Sequence, residues 1–177
     1  SSWIRFNHFH LKSIASAPGK VILFGEHFVV YGIKAILGSI DKRVSVTSAV
    51  TDKKEIKIKS SLGESSISTL ESYEKIKPSF KPFSYLAKKM IERFNHQGGI
   101  EINIDSHIPY GVGLGSSSAC CVAAAGSISR LFTELTREEV LELAIEAEKT
   151  IFKAASGADS TVCTYGGIIE YDKQTGY

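Results

Sequence analysis

Cysteine is scarce in this 177-residue sequence, and its arrangement argues against two classes of site. There are three cysteines, of which Cys120 and Cys121 are adjacent and Cys163 is remote. An odd number with this spacing fits neither a disulfide framework nor a metal-binding set of thiolates. We therefore expect reduced thiols of the kind found in the cytosol.

Excess charge and long hydrophobic runs are also missing. The 21 Lys and Arg residues barely outnumber the 19 Asp and Glu residues, which argues against nucleic acid as the main partner. The most apolar stretch, near 119–128, contains Ser and Gly and is too short to span a bilayer, and no basic-then-apolar leader opens the chain. We expect a soluble cytoplasmic protein with no membrane partner.

The pattern of apolar residues predicts a sheet combined with helices. Strand-like segments, rich in β-branched or alternating residues, are 14–30 (interrupted by Pro18 and Gly19), 35–50, 55–59 and 100–104. Helical spacing or capping marks 83–94, 116–131 and a segment from the capping box at Thr136 to about 152. The Ser-rich stretch 60–72 predicts a loop. Because regular βαβ repeats are absent, α+β and α/β are equally good classes at this point.

A glycine-rich run precedes the second predicted helix. It consists of three alternate glycines followed by three serines: Gly111, Gly113, Gly115, Ser116, Ser117 and Ser118. Such a run directs several backbone N–H groups towards an anion, which favours phosphate binding. It is not a Walker A loop, because no Lys follows the last glycine, and it lacks the spacing of the dinucleotide fingerprint. A simple strand-to-helix turn, with Ser117 or Ser118 capping the helix, is the alternative.

Two further segments give the glycine run a context. One reads Ser-Ala-Pro-Gly-Lys-Val-Ile-Leu-Phe-Gly-Glu-His over 16–27, and the other combines Ser-Gly-Ala-Asp-Ser at 156–160 with Thr-Tyr-Gly-Gly at 164–167. Together with Pro109 to Ser118 they resemble the first two signature motifs and the aspartate segment of the GHMP kinases. Within that family they are most similar to the mevalonate kinases, and the resemblance covers nearly all of the chain after about Ser13.

The resemblance implies a fold and a domain organisation. The expected fold is a two-layer α+β domain of the ribosomal-S5-domain-2 type, with 1–12 as a leader and 13–177 as the N-terminal ATP-binding and catalytic domain of a GHMP kinase. The third, C-terminal family motif has no counterpart here, and the chain neither begins with Met nor continues past Tyr177. We therefore expect a piece of a longer or split protein, incomplete as an enzyme without the C-terminal domain.

The resemblance also implies an activity. This activity is the ATP-dependent phosphorylation of mevalonate to 5-phosphomevalonate in isoprenoid precursor biosynthesis, with ATP and Mg²⁺ as cofactors. The resemblance also allows for a homodimer. A sister enzyme such as phosphomevalonate kinase is the nearest alternative. A non-catalytic sensor of the same fold is another, although a sensor has no use for the intact Lys20 and Asp159.

Site residues follow from the motifs one by one. The catalytic pair would be Lys20 and Asp159, with Asp159 accepting the proton of the attacking hydroxyl. The phosphates of ATP would bind Pro109, Gly111, Gly113, Leu114, Gly115, Ser116, Ser117 and Ser118. The acceptor substrate would contact Lys20, Glu26, His27, Asp159 and Thr164. Magnesium would bind Ser117 and Glu148, since hard cations prefer oxygen ligands.

Each of these roles has a plainer alternative. Asp159 could cap a short helix, Lys20 could be an ordinary solvated lysine, Glu148 could be one more charge on a helix surface, and His27 could be satisfied in the core. Many family members have Ala where this chain has Ser118, so the choice of Ser117 as the serine ligand of the cation is open.

Overall fold

The computed structural model describes residues 11–25, 31–172 and 174–175. Within these ranges the chain forms six strands and four α-helices: β1 (Lys12–Phe24), β2 (Ala35–Thr51), β3 (Glu55–Ser60), β4 (Gly63–Ser68), α1 (Lys81–Arg93), β5 (Gly99–Ser106), α2 (Ser116–Arg130), α3 (Arg137–Glu148), α4 (Ala158–Tyr165) and β6 (Ile168–Tyr171). Two short 3-10 turns, Tyr73–Lys75 and Pro78–Phe80, lead into α1. No helix in the described ranges is both long and apolar enough to cross a membrane.

All six strands join one sheet. The order is β1-β2-β5-β3-β4, and β6 pairs with β2. The pairs are antiparallel except for β3 with β5, which run parallel. The 17-residue β2 has room for two different neighbours on one side, because residues 35–38 pair with β6 and residues 44–51 pair with β5. Among the described strands, this arrangement leaves one side of β1 unpaired, as a sheet edge.

Alternation along the strands separates an apolar face from a polar one. On the inner face, Ile58 of β3 lies opposite Ile102 of β5, which lies opposite Ser48 of β2, and all three are fully buried. On the outer face, Lys57 lies opposite Glu101 and both are half-exposed. Residues of one face recur every second position, so this alternation explains the two environments.

The four helices form the second layer. Helix α2 packs on β1 and β2 and is surrounded by α1, α3 and α4, which explains why nearly all of its side chains are buried. The hydroxyl of Ser127 on α2 donates to the Ser13 carbonyl at 3.1 Å and pairs with the Ser48 hydroxyl at 2.8 Å, so the helix is also tied to β1 and β2 by polar contacts. The predicted two-layer α+β fold is confirmed.

The predicted loop over 60–72 is wrong, because residues 63–68 form β4. This strand closes a hairpin with β3 in which Ile67 lies opposite Ile56, and both are buried. Gly63, with φ +126°, follows the two-residue turn. Serines have little intrinsic preference for strands, but packing against a neighbour outweighs propensity in a sheet.

Two other predicted boundaries also differ from the structure. The Pro18–Gly19 pair does not interrupt β1, which runs on with a register shift between Pro18 and Lys20. Proline is tolerated there because β1 is an edge strand. Helix α3 ends at Glu148 and not at 152, because the amides of Thr150 and Ile151 bond to carbonyls three residues back, those of Ala147 and Glu148, at 3.1 and 3.0 Å.

Candidate active site

A cavity of about 590 Å³ opens beside β1, where the first turns of α2 and α4 and the end of α3 meet. Eleven of the predicted site residues line it: Lys20, Pro109, Gly111, Gly113, Leu114, Gly115, Ser116, Ser117, Ser118, Glu148 and Asp159. The motifs are far apart in the sequence, so only the sheet and helix packing could bring them to one place.

The glycine loop is held against the free edge of β1. The backbone N–H of Lys20 donates to the carbonyl of Leu114 at 2.9 Å. Gly111, Gly113 and Gly115 have φ of +71°, +74° and +72°, a left-handed conformation that disfavours residues with a side chain. The hydrogen bond holds the loop beside the strand, and the left-handed glycines allow the chain to turn and enter α2.

The first turn of α2 is free to bind an anion. Its N-cap is Gly115, and no side chain among the described residues caps the helix, so the alternative in which Ser117 or Ser118 caps it is wrong. Leading backbone N–H groups of an α-helix have no partner within the helix, and they carry the positive end of the helix dipole. These groups border the cavity, because Ser116 and Ser117 line it.

The hydroxyl of Ser116 is a further hydrogen-bonding group at the start of α2. The residue is only 8% exposed, it lines the cavity, and its hydroxyl oxygen has no hydrogen-bond partner among the described residues. A side chain added at Gly111 or Gly113 would meet nothing within 4 Å, so the loop has open space in front of it. An unsatisfied buried hydroxyl and a bare helix terminus fit a phosphate group.

Lys20 and Asp159 form an ion pair at the cavity. The ammonium nitrogen Nζ of Lys20 lies 3.2 Å from Oδ2 of Asp159. Lys20 is only 6% exposed, so it is not an ordinary solvated lysine. Asp159 lies within the first turn of α4, whose N-cap is Gly157, so it is not a capping residue. The positive end of the α4 dipole and the Lys20 ammonium both favour its negative charge.

Glu148 is buried and held by two hydroxyls. It ends α3, it is 8% exposed, and it accepts hydrogen bonds from the Ser118 hydroxyl at 2.7 Å and the Ser160 hydroxyl at 2.8 Å. It is therefore not an ordinary surface charge. Ser117, the predicted serine ligand of a cation, lines the same cavity and is half-buried.

Not every predicted residue meets at the cavity. Thr164 does not line it, and its hydroxyl donates instead to the Ser160 carbonyl at 2.7 Å within α4. Glu26 and His27 lie outside the described residues. The sequence reasoning missed Ser160, although it follows Asp159 directly in the aspartate motif. It also missed the part of the cavity wall formed by Phe152 and residues 154–156, for which the only signal in the sequence was the Ser-Gly-Ala-Asp string at 156–159.

The three cysteines are free, as the sequence predicted, and the structure shows that all three are buried. Burial raises the pKa of the Cys120 thiol to about 12. Burial also raises the pKa of Cys163, and the carboxylates of Asp159 and Glu148 raise it further. These thiols stay protonated at neutral pH and are poor nucleophiles. The ionic chemistry of the cavity therefore belongs to Lys20, Glu148 and Asp159.

Comparison with known proteins places this geometry in a family. Residues 83–167 match the N-terminal domain of the GHMP kinases. The mevalonate kinase of Thermococcus sibiricus is 38% identical over 174 residues, which cover 92% of this chain and 52% of that protein. The crystal structure of the Methanococcus jannaschii mevalonate kinase superposes with a TM-score of 0.81 at 33% identity, covering 92% of this chain and 54% of that one.

A second solved structure is more distant. The L. major mevalonate kinase in complex with R-mevalonate superposes with a TM-score of 0.72 at 27% identity, covering 99% of this chain and 52% of that one. The chain thus spans about half the length of the relatives that it matches. The motifs thus gather around one cavity, on the fold of these kinases, and the chain is similar to the N-terminal domain of the GHMP kinases.

Proposed function

We propose that the full-length protein transfers a phosphoryl group from ATP to the hydroxyl of mevalonate and forms 5-phosphomevalonate. The observation that carries this proposal is the meeting of the Lys20–Asp159 ion pair with the glycine loop in one cavity. The names of the relatives support mevalonate as the acceptor, and one of the similar structures holds R-mevalonate.

The glycine loop and the start of α2 would hold the phosphates. The bare N–H groups of the first turn and the unpartnered hydroxyl of Ser116 are the available donors. ATP supplies the phosphoryl group, and Mg²⁺ supplies positive charge that offsets the charge of the phosphates. The contact between the Lys20 amide and the Leu114 carbonyl would keep the loop in register with the catalytic lysine.

Glu148 would be the carboxylate ligand of the cation, with Ser117 beside it, since the Ser118 hydroxyl already donates to Glu148. No Lys, Arg or His in the described ranges forms an ion pair with Glu148, and an uncompensated buried carboxylate is costly. Magnesium is often bound by one or two carboxylates together with substrate phosphates. A cation at this position would compensate the buried charge.

Asp159 and Lys20 would act on the acceptor hydroxyl. Asp159 is 38% exposed in its side chain and faces the cavity, so its carboxylate can accept the hydroxyl proton. The Lys20 ammonium would stabilise the negative charge that develops on the attacking oxygen and on the transferred group. Such proton transfer is worth on the order of 10² to 10⁴ in rate. Glu26, His27 and Thr164 remain predicted contacts of the acceptor, and a cytoplasmic location and a homodimer remain predictions.

The test is an assay of ADP release by the full-length protein with mevalonate, phosphomevalonate, homoserine and galactose as acceptors. We expect turnover with mevalonate alone. Asp159→Asn should lower kcat about 10²- to 10⁴-fold and leave ATP binding intact, whereas Asp105→Asn, on the exposed part of β5, should not change kcat. ATP binding without turnover of any acceptor would contradict the proposal and favour a sensor, and turnover with phosphomevalonate would favour a sister kinase.

A further inference from the structure

Both oxygens of the Glu148 carboxylate are held by serine hydroxyls that come from different helices. Oε1 accepts from Ser118 in the first turn of α2 at 2.7 Å, and Oε2 accepts from Ser160 in the first turn of α4 at 2.8 Å. With one hydrogen bond to each oxygen, the plane of the carboxylate is fixed. Each oxygen still has a second lone pair, so the carboxylate keeps the capacity to bind a further partner.

The position of Glu148 is unfavourable for a carboxylate in the absence of such a partner. It is nearly buried, and it ends α3, where the negative end of the helix dipole repels negative charge. The first turns of α2 and α4, which carry the positive ends of their dipoles, contact Glu148 through Ser118 and Ser160 and reduce this penalty. Hydrogen bonds from neutral hydroxyls orient the charge but do not neutralise it.

The two serines occupy different sides of the carboxylate. Ser118 and Glu148 both line the cavity, whereas Ser160 does not line it and is fully buried. Ser160 therefore supports the carboxylate from behind, and Ser118 supports it at the cavity wall. Neither serine is needed to cap its helix, because glycines hold both N-cap positions and neither cap involves a side-chain hydrogen bond.

We propose that Ser118 and Ser160 are positioning residues that orient Glu148 for a divalent cation in the nucleotide site. This inference rests on the proposed function, adds Ser160 to it and gives Ser118 a defined role. Outer partners of a metal ligand commonly change metal affinity or activity 10- to 100-fold when they are removed. The affinity for the cation should thus depend on both hydroxyls, and the affinity for the nucleotide in the absence of a cation should not.

The experiment measures cation binding directly in the full-length protein. Mn²⁺ is titrated into the protein saturated with ADP, and bound Mn²⁺ is followed by electron paramagnetic resonance for wild type, Ser118→Ala and Ser160→Ala. Ser127→Ala is the matched control, because it also removes a buried serine hydrogen bond from α2 but lies away from the cavity. The Mg²⁺ concentration for half-maximal ATP turnover is measured alongside.

We expect the Mn²⁺ dissociation constant to rise about tenfold or more in Ser118→Ala and Ser160→Ala, with wild-type affinity in Ser127→Ala. Should Ser160→Ala fail to fold, Ser118→Ala alone decides. Equal Mn²⁺ affinity in the Ser118→Ala, Ser127→Ala and wild-type proteins would overturn the inference. The Mn²⁺ readout does not depend on mevalonate being the acceptor, so failure of the proposed function and failure of this inference give different results.

Discussion

The ammonium of Lys20 and the carboxylate of Asp159 meet at 3.2 Å, with the lysine on an edge strand and the aspartate in the first turn of a short helix. The two partners differ in their access to water. The Lys20 side chain is 8% exposed, and that of Asp159 is 38% exposed. Loss of Lys20 and loss of Asp159 should therefore lower the stability of the fold by different amounts.

Asp159→Ala should destabilise the nucleotide-free protein more than Lys20→Met. The aspartate variant leaves a buried ammonium without its partner, and we expect the free energy of unfolding to fall by about 1–3 kcal/mol, below the usual cost for fully buried pairs because Asp159 is partly exposed. Lys20→Met leaves a carboxylate that water can reach. This variant should change the free energy of unfolding by less than about 1 kcal/mol. Urea unfolding measures both. A double variant no more stable than Asp159→Ala would contradict this explanation.

Gly115→Ala should cost more stability than Gly113→Ala. Both glycines have a left-handed φ, of +72° and +74°, so each substitution carries about 1–2 kcal/mol of backbone strain. A side chain at Gly115 would also lie 2.6 Å from Cγ of Lys20, whereas one at Gly113 would meet nothing within 4 Å. The difference between the two variants in the free energy of unfolding, measured without nucleotide, gives the cost of the contact with Lys20. Equal losses in the two variants would show that this contact has no effect.

Ile67→Ala should destabilise the domain, because β4 belongs to its core. Ile67 is 8% exposed and lies opposite Ile56, whereas Leu70 just beyond the strand is 90% exposed. We expect a loss of about 2 kcal/mol for Ile67→Ala and less than about 0.5 kcal/mol for Leu70→Ala. Thermal unfolding of the two variants makes the comparison. Similar losses in the two variants would contradict the assignment of residues 63–68 as a core strand and would favour the loop predicted from the serine content.

Glu146 should stabilise the protein at neutral pH and lose this effect in acid. Partial burial raises its pKa, but hydrogen bonds from Lys89 and Tyr85 outweigh burial, so the net pKa is lowered from 4.5. A lowered pKa in the folded state means that the contribution is complete above the ordinary glutamate value and disappears as the pH falls through the lowered one.

This pH dependence is tested by comparing Glu146→Gln with Glu142→Gln. Glu142 is an exposed glutamate one turn earlier on α3. At pH 7 we expect Glu146→Gln to lower the free energy of unfolding by about 0.5–1 kcal/mol, since both side chains of the Lys89–Glu146 pair are partly exposed to water. The loss should shrink as the pH falls below 4.5. A loss that does not change between neutral and acidic pH would show that the ion pair is not its source.

Local patterns were enough to predict several features of this protein. The alternation over 100–104 and the capping box at Thr136 each depend on neighbours within a few residues, and the structure confirms the strand and the helix start. The family motifs then named Lys20 and Asp159 as a pair, which the structure brings together.

Only the tertiary structure decided how distant segments meet. It paired the serine-rich β4 with β3, ended α3 at Glu148, and turned Ser118 and Ser160 towards the same carboxylate. The physical reason is that these contacts depend on the relative positions of separate helices and strands. Burial and hydrogen bonding set those positions across the whole domain, whereas the sequence by itself determined local conformation and the residue types available for chemistry.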